Sequence, residues 1–272
     1  MDSEKKIDLD DRDLKRMLVL IHIRTGISMK ENKKSLIQGR LRARMKELAM
    51  HSYQDYMERV ENSQEEAQRF IDLVTTNETT FFRTQRVWDY FSSQFLPDWY
   101  ANNQGKVLKI WSAASSSGEE SYSIAMSCEE FRTKHKDFNY SIVGSDISAN
   151  MVKRAEKGVY QGRNADGLEK SFPEYFKRYT VPTNDGITMV DHVRSKCRFF
   201  LNNLFVPKKI DQFDVVFLRN VLIYFESADQ EIVLKNISVN LKKGGKLIIG
   251  ESESLTGLTS DLTFIQPLVY EA

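Results

Sequence analysis

The chain has 272 residues, room for one large domain or two modest ones, and 41% hydrophobic residues suffice for a sizeable core. Lys and Arg number 39 against 38 Asp and Glu, a net charge of +1, which argues against a protein held to nucleic acid by bulk charge and leaves room only for a local basic face. Two cysteines, Cys128 and Cys197, with no CxxC, exclude a disulfide framework and give no sign of a zinc site; apolar runs such as Val221–Phe225 fall far short of the roughly 20 residues of a membrane span.

The opening MDSEKKIDLDDRD has no apolar stretch behind its charges, so no secretory leader is expected and the expected compartment is the reducing cytoplasm. Before Thr80 there is no proline, and the glycines are Gly26 and Gly39. Leu14, Met17, Leu18 and Ile21, then Leu41, Met45 and Leu48, recur at helical spacing. Ser63 followed by Glu66 has the form of a capping box, opening a helix through Phe70, Leu73 and Val74. Residues 8–76 therefore read as a bundle of short helices.

From Lys106 the period changes. Val107–Ala113 reads as a buried strand, followed by a Ser/Gly turn and a helix from Glu119 to Phe131. Ser141–Asp146 is a second strand ending in an acid, and Ser148 caps a helix that stops at Lys157-Gly158. Phe213–Leu218 and Gly245–Gly250 are further strands, with a helix through Asp229–Leu241 between them. Such alternation means a parallel, doubly wound sheet. Residues of about 165–200 interrupt it: Tyr179–Pro182, Ile187–Val190 and Cys197–Leu201 read as a small antiparallel excursion, with Asp185-Gly186 as its hairpin signal.

Ligands of an open parallel sheet sit beyond the carboxyl ends of its strands. After the first strand, Ser115-Ser-Ser-Gly-Glu-Glu120 offers small residues and a helix N-terminus; taken alone it is as readily a purely structural turn. Asp146 ends the second strand, where adenosine binders place an acid for ribose hydroxyls, although a cap or turn aspartate ahead of Ser148 is an equal reading. His22, His51, His135 and His192 show no metal spacing, so no metal site is expected.

Thr76-Asn-Glu-Thr-Thr-Phe-Phe-Arg83 and Ile110-Trp-Ser-Ala-Ala-Ser-Ser-Ser-Gly-Glu-Glu-Ser-Tyr-Ser-Ile-Ala-Met126 resemble motifs of the chemoreceptor glutamate methyltransferases, the CheR family. Ser145-Asp-Ile147, Gly158-Val-Tyr160, Leu218-Arg-Asn-Val-Leu-Ile-Tyr-Phe225 and Leu247–Leu255 continue the resemblance in the same order, from about Asp13 to Tyr270. The resemblance implies an α/β protein: an N-terminal all-α helical domain (1–80), then a Rossmann-like class I methyltransferase domain (81–272) with a small antiparallel β-subdomain inserted at about 165–200. It implies methyl transfer from S-adenosylmethionine to glutamate carboxylates of chemotaxis receptors, with S-adenosylhomocysteine as product. By motif, Asn77, Thr79 and Arg83 are expected on the cofactor. Glu119 or Glu120, with Asp146, would hold its methionine and ribose ends. Asn203, Leu204, Arg219 and Asn220 would line its adenine and sulfonium side, and Tyr224 would lie beside the transferring methyl. Arg83 and Arg219 would also steady the anionic acceptor.

The chain departs from the family where Ser117 replaces a threonine and Ser121 a proline. The first keeps a hydroxyl; the second removes a rigid helix start. An arginine that some members place near Trp99–Tyr100 has no counterpart, so its role is not carried over. The chemistry needs no histidine or cysteine. A glutamate, with an ordinary pKa of about 4.3, is already an anion at neutral pH. Catalysis is then in-line positioning in a dry site, which accounts for roughly 7–11 kcal/mol of barrier.

Lys30, Lys33, Lys34, Arg40, Arg42, Arg44 and Lys46 face only Glu31 and Glu47 in the same segment, although the first eighty residues balance at fifteen basic and fifteen acidic. A solvated helix face is the usual meaning of such a stripe; docking on an acidic receptor helix is the functional one. The short Thr183–Gly186 turn favours a member that needs no receptor C-terminal tether. A non-catalytic scaffold that binds the cofactor, or a nucleic-acid methyltransferase on the same fold, are the competing readings. The intact Asn77, Arg83 and Glu120 positions count against the first. The near-zero charge, and the lack of an Asn/Asp-Pro-Pro-Tyr-like motif after the Asp214 strand, count against the second.

Overall fold

The computed structural model describes residues 8–184 and 186–272, so the first seven residues of the charged opening and Asp185 of the expected hairpin signal lie outside the described residues. The chain forms two compact units: residues up to Thr76 together with Tyr224–Asp229, and Asn77–Ile223 together with Gln230–Ala272.

Helices α1 (Asp11–Thr25), α2 (Lys34–Glu47), α3 (Tyr53–Asn62) and α4 (Gln64–Val74) build the first unit. The Asp10 side chain accepts from Asp13 N to open α1, and Gly26 at φ 76° closes it. Leu14, Met17, Leu20 and Ile21 face inward, Leu20 taking the place expected for Leu18, and are buried with Leu41, Met45, Tyr56, Phe70 and Val74. The capping box is half formed. Ser63 Oγ accepts from Glu66 N at 3.2 Å, but the Glu66 carboxylate does not reach back to the cap. It is 2% exposed and accepts from Arg44 Nε at 3.0 Å, Arg44 Nη2 at 2.5 Å and Tyr56 Oη at 3.2 Å. The guanidinium holds this carboxyl below its ordinary range. A buried charge is tolerable only with such partners, and they draw α4 onto α2 and α3. The segment Tyr224–Asp229 joins the bundle through Ser28 N, which donates to Tyr224 O at 2.9 Å, and through His22 Nε2 and Asp229 Oδ2 at 2.8 Å.

In the second unit ten strands are present among the described residues: β1 (Val107–Ser112), β2 (Asn139–Asp146), β3 (Val159–Tyr160), β4 (Thr180–Thr183), β5 (Gly186–Met189), β6 (Cys197–Leu201), β7 (Phe213–Leu218), β8 (Leu241–Ile249), β9 (Thr263–Gln266) and β10 (Val269–Glu271). Seven form one sheet in the order β6-β2-β1-β7-β8-β10-β9, parallel from β6 to β8 and antiparallel beyond. β3, β5 and β4 form a separate antiparallel sheet, the inserted subdomain.

The sequence reading of that insert needs one correction. Cys197–Leu201 does not belong to the antiparallel excursion: it pairs in parallel with β2, with Asp146 beside Leu201. The third strand of the small sheet is Val159–Tyr160, which directly follows the Gly158 cap. Helices at Arg163–Ser171 and Pro173–Tyr179 fill the interval. Two further boundaries move: the last long helix is Ser227–Ser238, and β8 begins at Leu241 rather than Gly245. The early start comes with a register shift against β7 between Phe213 and Val215, and with Gly244 at φ 77°. The helical run 85–102, with a π-helical segment at Phe91–Phe95, matches no spacing noted above. It packs Trp88 and Phe91 on Phe217 of β7, with ring centroids 6.0 and 5.3 Å apart.

Candidate active site

β1 lies at the switch in strand order. From it the chain goes to β2 and β6 on one side, while β7 and β8 lie on the other. The loops after β1, β2, β6 and β7 therefore meet at one edge, where ligands of such sheets bind.

The loop after β1 is built for close approach. Gly118 sits at φ 96°, and a Cβ there would meet Ala155 Cβ at 2.9 Å and Tyr160 Oη at 3.0 Å. Tyr160 Oη donates to Ser117 O at 2.8 Å, pinning the turn from the inserted subdomain. Ser116 is left-handed at φ 47° and its Oγ donates to Asn77 O at 2.8 Å, which brings the Thr76–Arg83 motif against the loop. Four non-glycine residues around the site, Phe82, Thr84, Ser116 and Asn220, have positive φ. Such conformations cost about 1–3 kcal/mol each and cluster where geometry serves function.

Asp146, 6% exposed, accepts from Ser116 N (Oδ2, 2.8 Å) and Ser148 N (Oδ1, 2.9 Å). The carboxylate fixes the loop after β1 and the backbone leading into the Ser148 cap. Because β6 is parallel to β2, its end sets Leu201 beside Asp146 and lets Asn202 N donate to Asp146 O at 2.9 Å, with Asn203 and Leu204 next in the chain. Asn203 Oδ1 accepts from Phe205 N at 3.0 Å, and Leu204 O accepts from Asn236 Nδ2 at 2.9 Å.

The two glutamates that open the helix Glu119–Lys134 diverge. Glu119 is fully buried, accepting from Ser117 Oγ at 2.7 Å and Asn164 Nδ2 at 2.5 Å. Burial pushes its carboxyl above the ordinary range, against those two bonds. The folded protein thus holds this proton more tightly than the unfolded chain. Stability is lost as pH rises from the unfolded value of about 4.3 through the raised one. Glu119→Gln is expected to resist urea better than the wild type at pH 7.5, the gain fading towards pH 4.5; a gain independent of pH refutes the assignment.

Glu120 instead accepts from Arg219 Nη1 at 2.8 Å and Ser112 Oγ at 2.8 Å. Arg219 also donates to Arg83 O at 2.7 Å and lies 5.8 Å over the Trp88 ring, while its buried Nε has no partner among the described residues. Arg219 was expected to steady an anionic acceptor. Its charge is instead buried and matched by Glu120, with the side chain 2% exposed. Arg83 is exposed, its Nη1 donating to Glu78 O at 3.2 Å. Asn77 and Thr79 are half-buried in the same segment, and Asn220 is held at φ 57° after β7. Tyr224, half-buried, ends the 3-10 turn Leu222–Tyr224 and belongs to the helical unit. Sequence reasoning gave no role to Glu253, whose carboxylate closes the loop after β7.

An adenosylated amino acid fits this donor set. Its ribose hydroxyls and cationic amine are donors of the kind that the Asp146 and Glu120 carboxylates would accept, and its acceptor atoms would suit Arg219 Nε, which has no partner among the described residues. The fold and these loops define an α/β protein whose ligand site lies at the carboxyl edge of the parallel sheet.

Comparison with known proteins narrows that class. The profile of the CheR methyltransferase SAM binding domain matches residues 77–270, and that of the CheR methyltransferase all-alpha domain matches 12–75. A chemotaxis protein methyltransferase of Borreliella burgdorferi is 30% identical over 97% of this chain and 95% of its own length. The chemotaxis protein methyltransferase Cher2 of Pseudomonas putida is 33% identical over 96% and 98%. One from Vibrio parahaemolyticus is 34% identical over 96% and 95%. The chain belongs to the CheR family of chemotaxis methyltransferases, and S-adenosylmethionine is its methyl donor.

Proposed function

We propose that the chain methylates glutamate side-chain carboxylates on the cytoplasmic helices of chemotaxis receptors, adjusting their signalling during adaptation, and that it works in the cytoplasm. The observation that carries this reading is the family match over both parts of the chain, 12–75 and 77–270, with the motif residues of the second part gathered at one sheet edge. Bound there, the cofactor would supply a methyl group on cationic sulfur to an acceptor carboxylate that is already an anion, so the chain need provide no general base.

The residues of the chain therefore hold and orient. Asp146 takes the ribose hydroxyls, Glu120 the cationic end, and Asn77, Thr79, Asn203, Leu204 and Asn220 the flanks. Arg83, exposed and cationic, is the candidate to steady the acceptor carboxylate. Tyr224 is the candidate hydrogen-bond donor beside the methyl path. On α2, Arg40 donates to Val74 O and Thr76 Oγ1, and Arg44 is engaged with Glu66 and Glu47, so both serve the bundle. Lys30, Lys33, Arg42 and Lys46 are exposed and supply the docking charge.

Incubating receptor cytoplasmic fragments with radiolabelled donor is expected to give a label released by mild base, as a carboxyl methyl ester is. A base-stable label, or none, defeats the proposal. The catalytic efficiency is expected to fall as salt shortens the screening length from about 10 Å at 0.1 M; a salt-independent rate removes the docking role of α2. Tyr224→Phe with unchanged turnover relegates Tyr224 to packing.

A further inference from the structure

Glu253 lies in the turn after β8, where its own N–H donates to Gly250 O at 3.1 Å and the side chain folds back over the strand end. Its carboxylate accepts four main-chain N–H groups. Oε2 takes Gly250 N at 2.7 Å and Asn220 N at 2.8 Å; Oε1 takes Val221 N at 2.8 Å and Leu222 N at 2.7 Å. The residue is 8% exposed. A buried carboxylate with four donors is fully satisfied, and bonds to a charged acceptor are the strong kind.

Three of the donors belong to the loop that leaves β7 immediately after Arg219. That loop starts with Asn220 in the left-handed region, a conformation that persists only when its surroundings over-determine it. The fourth donor is Gly250, where a Cβ would meet Glu253 Oε2 at 2.8 Å and Asn220 Nδ2 at 3.0 Å. One anion thus clamps the ends of two neighbouring strands. Arg219 is fixed at its far end by Glu120 and, through the next peptide, at its main chain by Glu253.

We propose that Glu253 is a positioning residue for methyl transfer: its carboxylate fixes the main chain of Asn220–Leu222 and so sets how Arg219 and Asn220 meet the cofactor. The inference rests on the cofactor site described above. It touches no substrate itself. Its effect comes through geometry, to which in-line transfer is sensitive at the level of an ångström.

The test is calorimetric titration with S-adenosylhomocysteine of wild type, Glu253→Ala, Glu253→Gln and Gly250→Ala, at a temperature where circular dichroism shows each to be folded. All three variants are expected to bind at least tenfold more weakly than wild type. In Glu253→Gln an amide NH2 replaces one acceptor oxygen and faces N–H donors. Sodium formate, a carboxylate small enough for the emptied nest, is expected to restore affinity to Glu253→Ala in a concentration-dependent way. Matched sodium chloride should not, and formate should do nothing for Gly250→Ala, whose carboxylate is still present. A purely structural role predicts lower melting points with unchanged affinity in the folded variants. Affinity within twofold of wild type in folded Glu253→Ala, or a loss that formate does not reverse, overturns the proposal. If the alanine variant does not fold, Glu253→Gln carries the same affinity comparison. A wild type that does not bind S-adenosylhomocysteine removes the cofactor reading, and this inference with it, before any variant is measured.

Discussion

Asp146→Ala is expected to weaken S-adenosylhomocysteine binding by about a hundredfold or more. A buried carboxylate that takes two ribose hydroxyls contributes two charge-assisted hydrogen bonds of about 1.5–3 kcal/mol each, hence on the order of 10²–10⁴ in affinity. The substitution also frees Ser116 N and Ser148 N, so the loop after β1 loses its pin while it must still hold Ser116 at φ 47°. Asp146→Asn separates the two effects. Its single oxygen still accepts one of these N–H groups, so it should retain more stability than alanine while binding little better. Calorimetry alongside urea unfolding reads both quantities. Affinity within threefold of wild type in a folded Asp146→Ala would return Asp146 to the role of a helix-cap residue.

The second large effect is on stability. Glu120 and Arg219 form an ion pair whose side chains are 11% and 2% exposed. Removing one partner of a buried pair leaves an uncompensated charge and typically costs about 3–5 kcal/mol, whereas an apolar pair of similar volume often restores most of the loss. Glu120→Ala is therefore expected to lower the urea midpoint steeply, and Glu120→Leu with Arg219→Met to recover much of it. The double variant should fold and still fail to bind S-adenosylhomocysteine, if Glu120 and Arg219 hold the ligand as proposed. A single Glu120→Ala within about 1 kcal/mol of wild type would show that water or a neighbour compensates Arg219.

What was legible in the sequence had a local cause. The caps at Ser148 and Gly158, the β1 and β7 strands and the small-residue loop after β1 depend on residues within one turn of one another, and the motifs carry the family with them. What was not legible depends on partners distant in the chain. Val159–Tyr160 is too short to show a period, and it becomes a strand only because β5 returns to pair with it. Cys197–Leu201 is a short strand-like run, as its antiparallel neighbours are. Nothing local says that it will cross to β2, yet that crossing puts its end beside Asp146. Glu119 and Glu120 look equivalent at a helix start, and their roles are divided by Asn164 and by Arg219, 99 positions after Glu120. Glu253 reads as one more acid in Gly-Glu-Ser-Glu-Ser, because three of its four donors lie about thirty positions earlier.

The return of Tyr224–Asp229 to the helical unit bears on how the protein can be taken apart. The polypeptide passes between the units at three places, after Thr76, after Ile223 and after Asp229, where two units strung end to end would share one. A gene fragment stopping at Thr76 encodes an incomplete bundle, without the acceptors for Ser28 N and His22 Nε2. A single proteolytic nick at the first junction leaves Tyr224–Asp229, a part of the helical unit, still covalently joined to the second unit at the other two. Dissection therefore calls for a circularly permuted or split chain that keeps Tyr224–Asp229 with the helices, not for a truncation at the apparent linker.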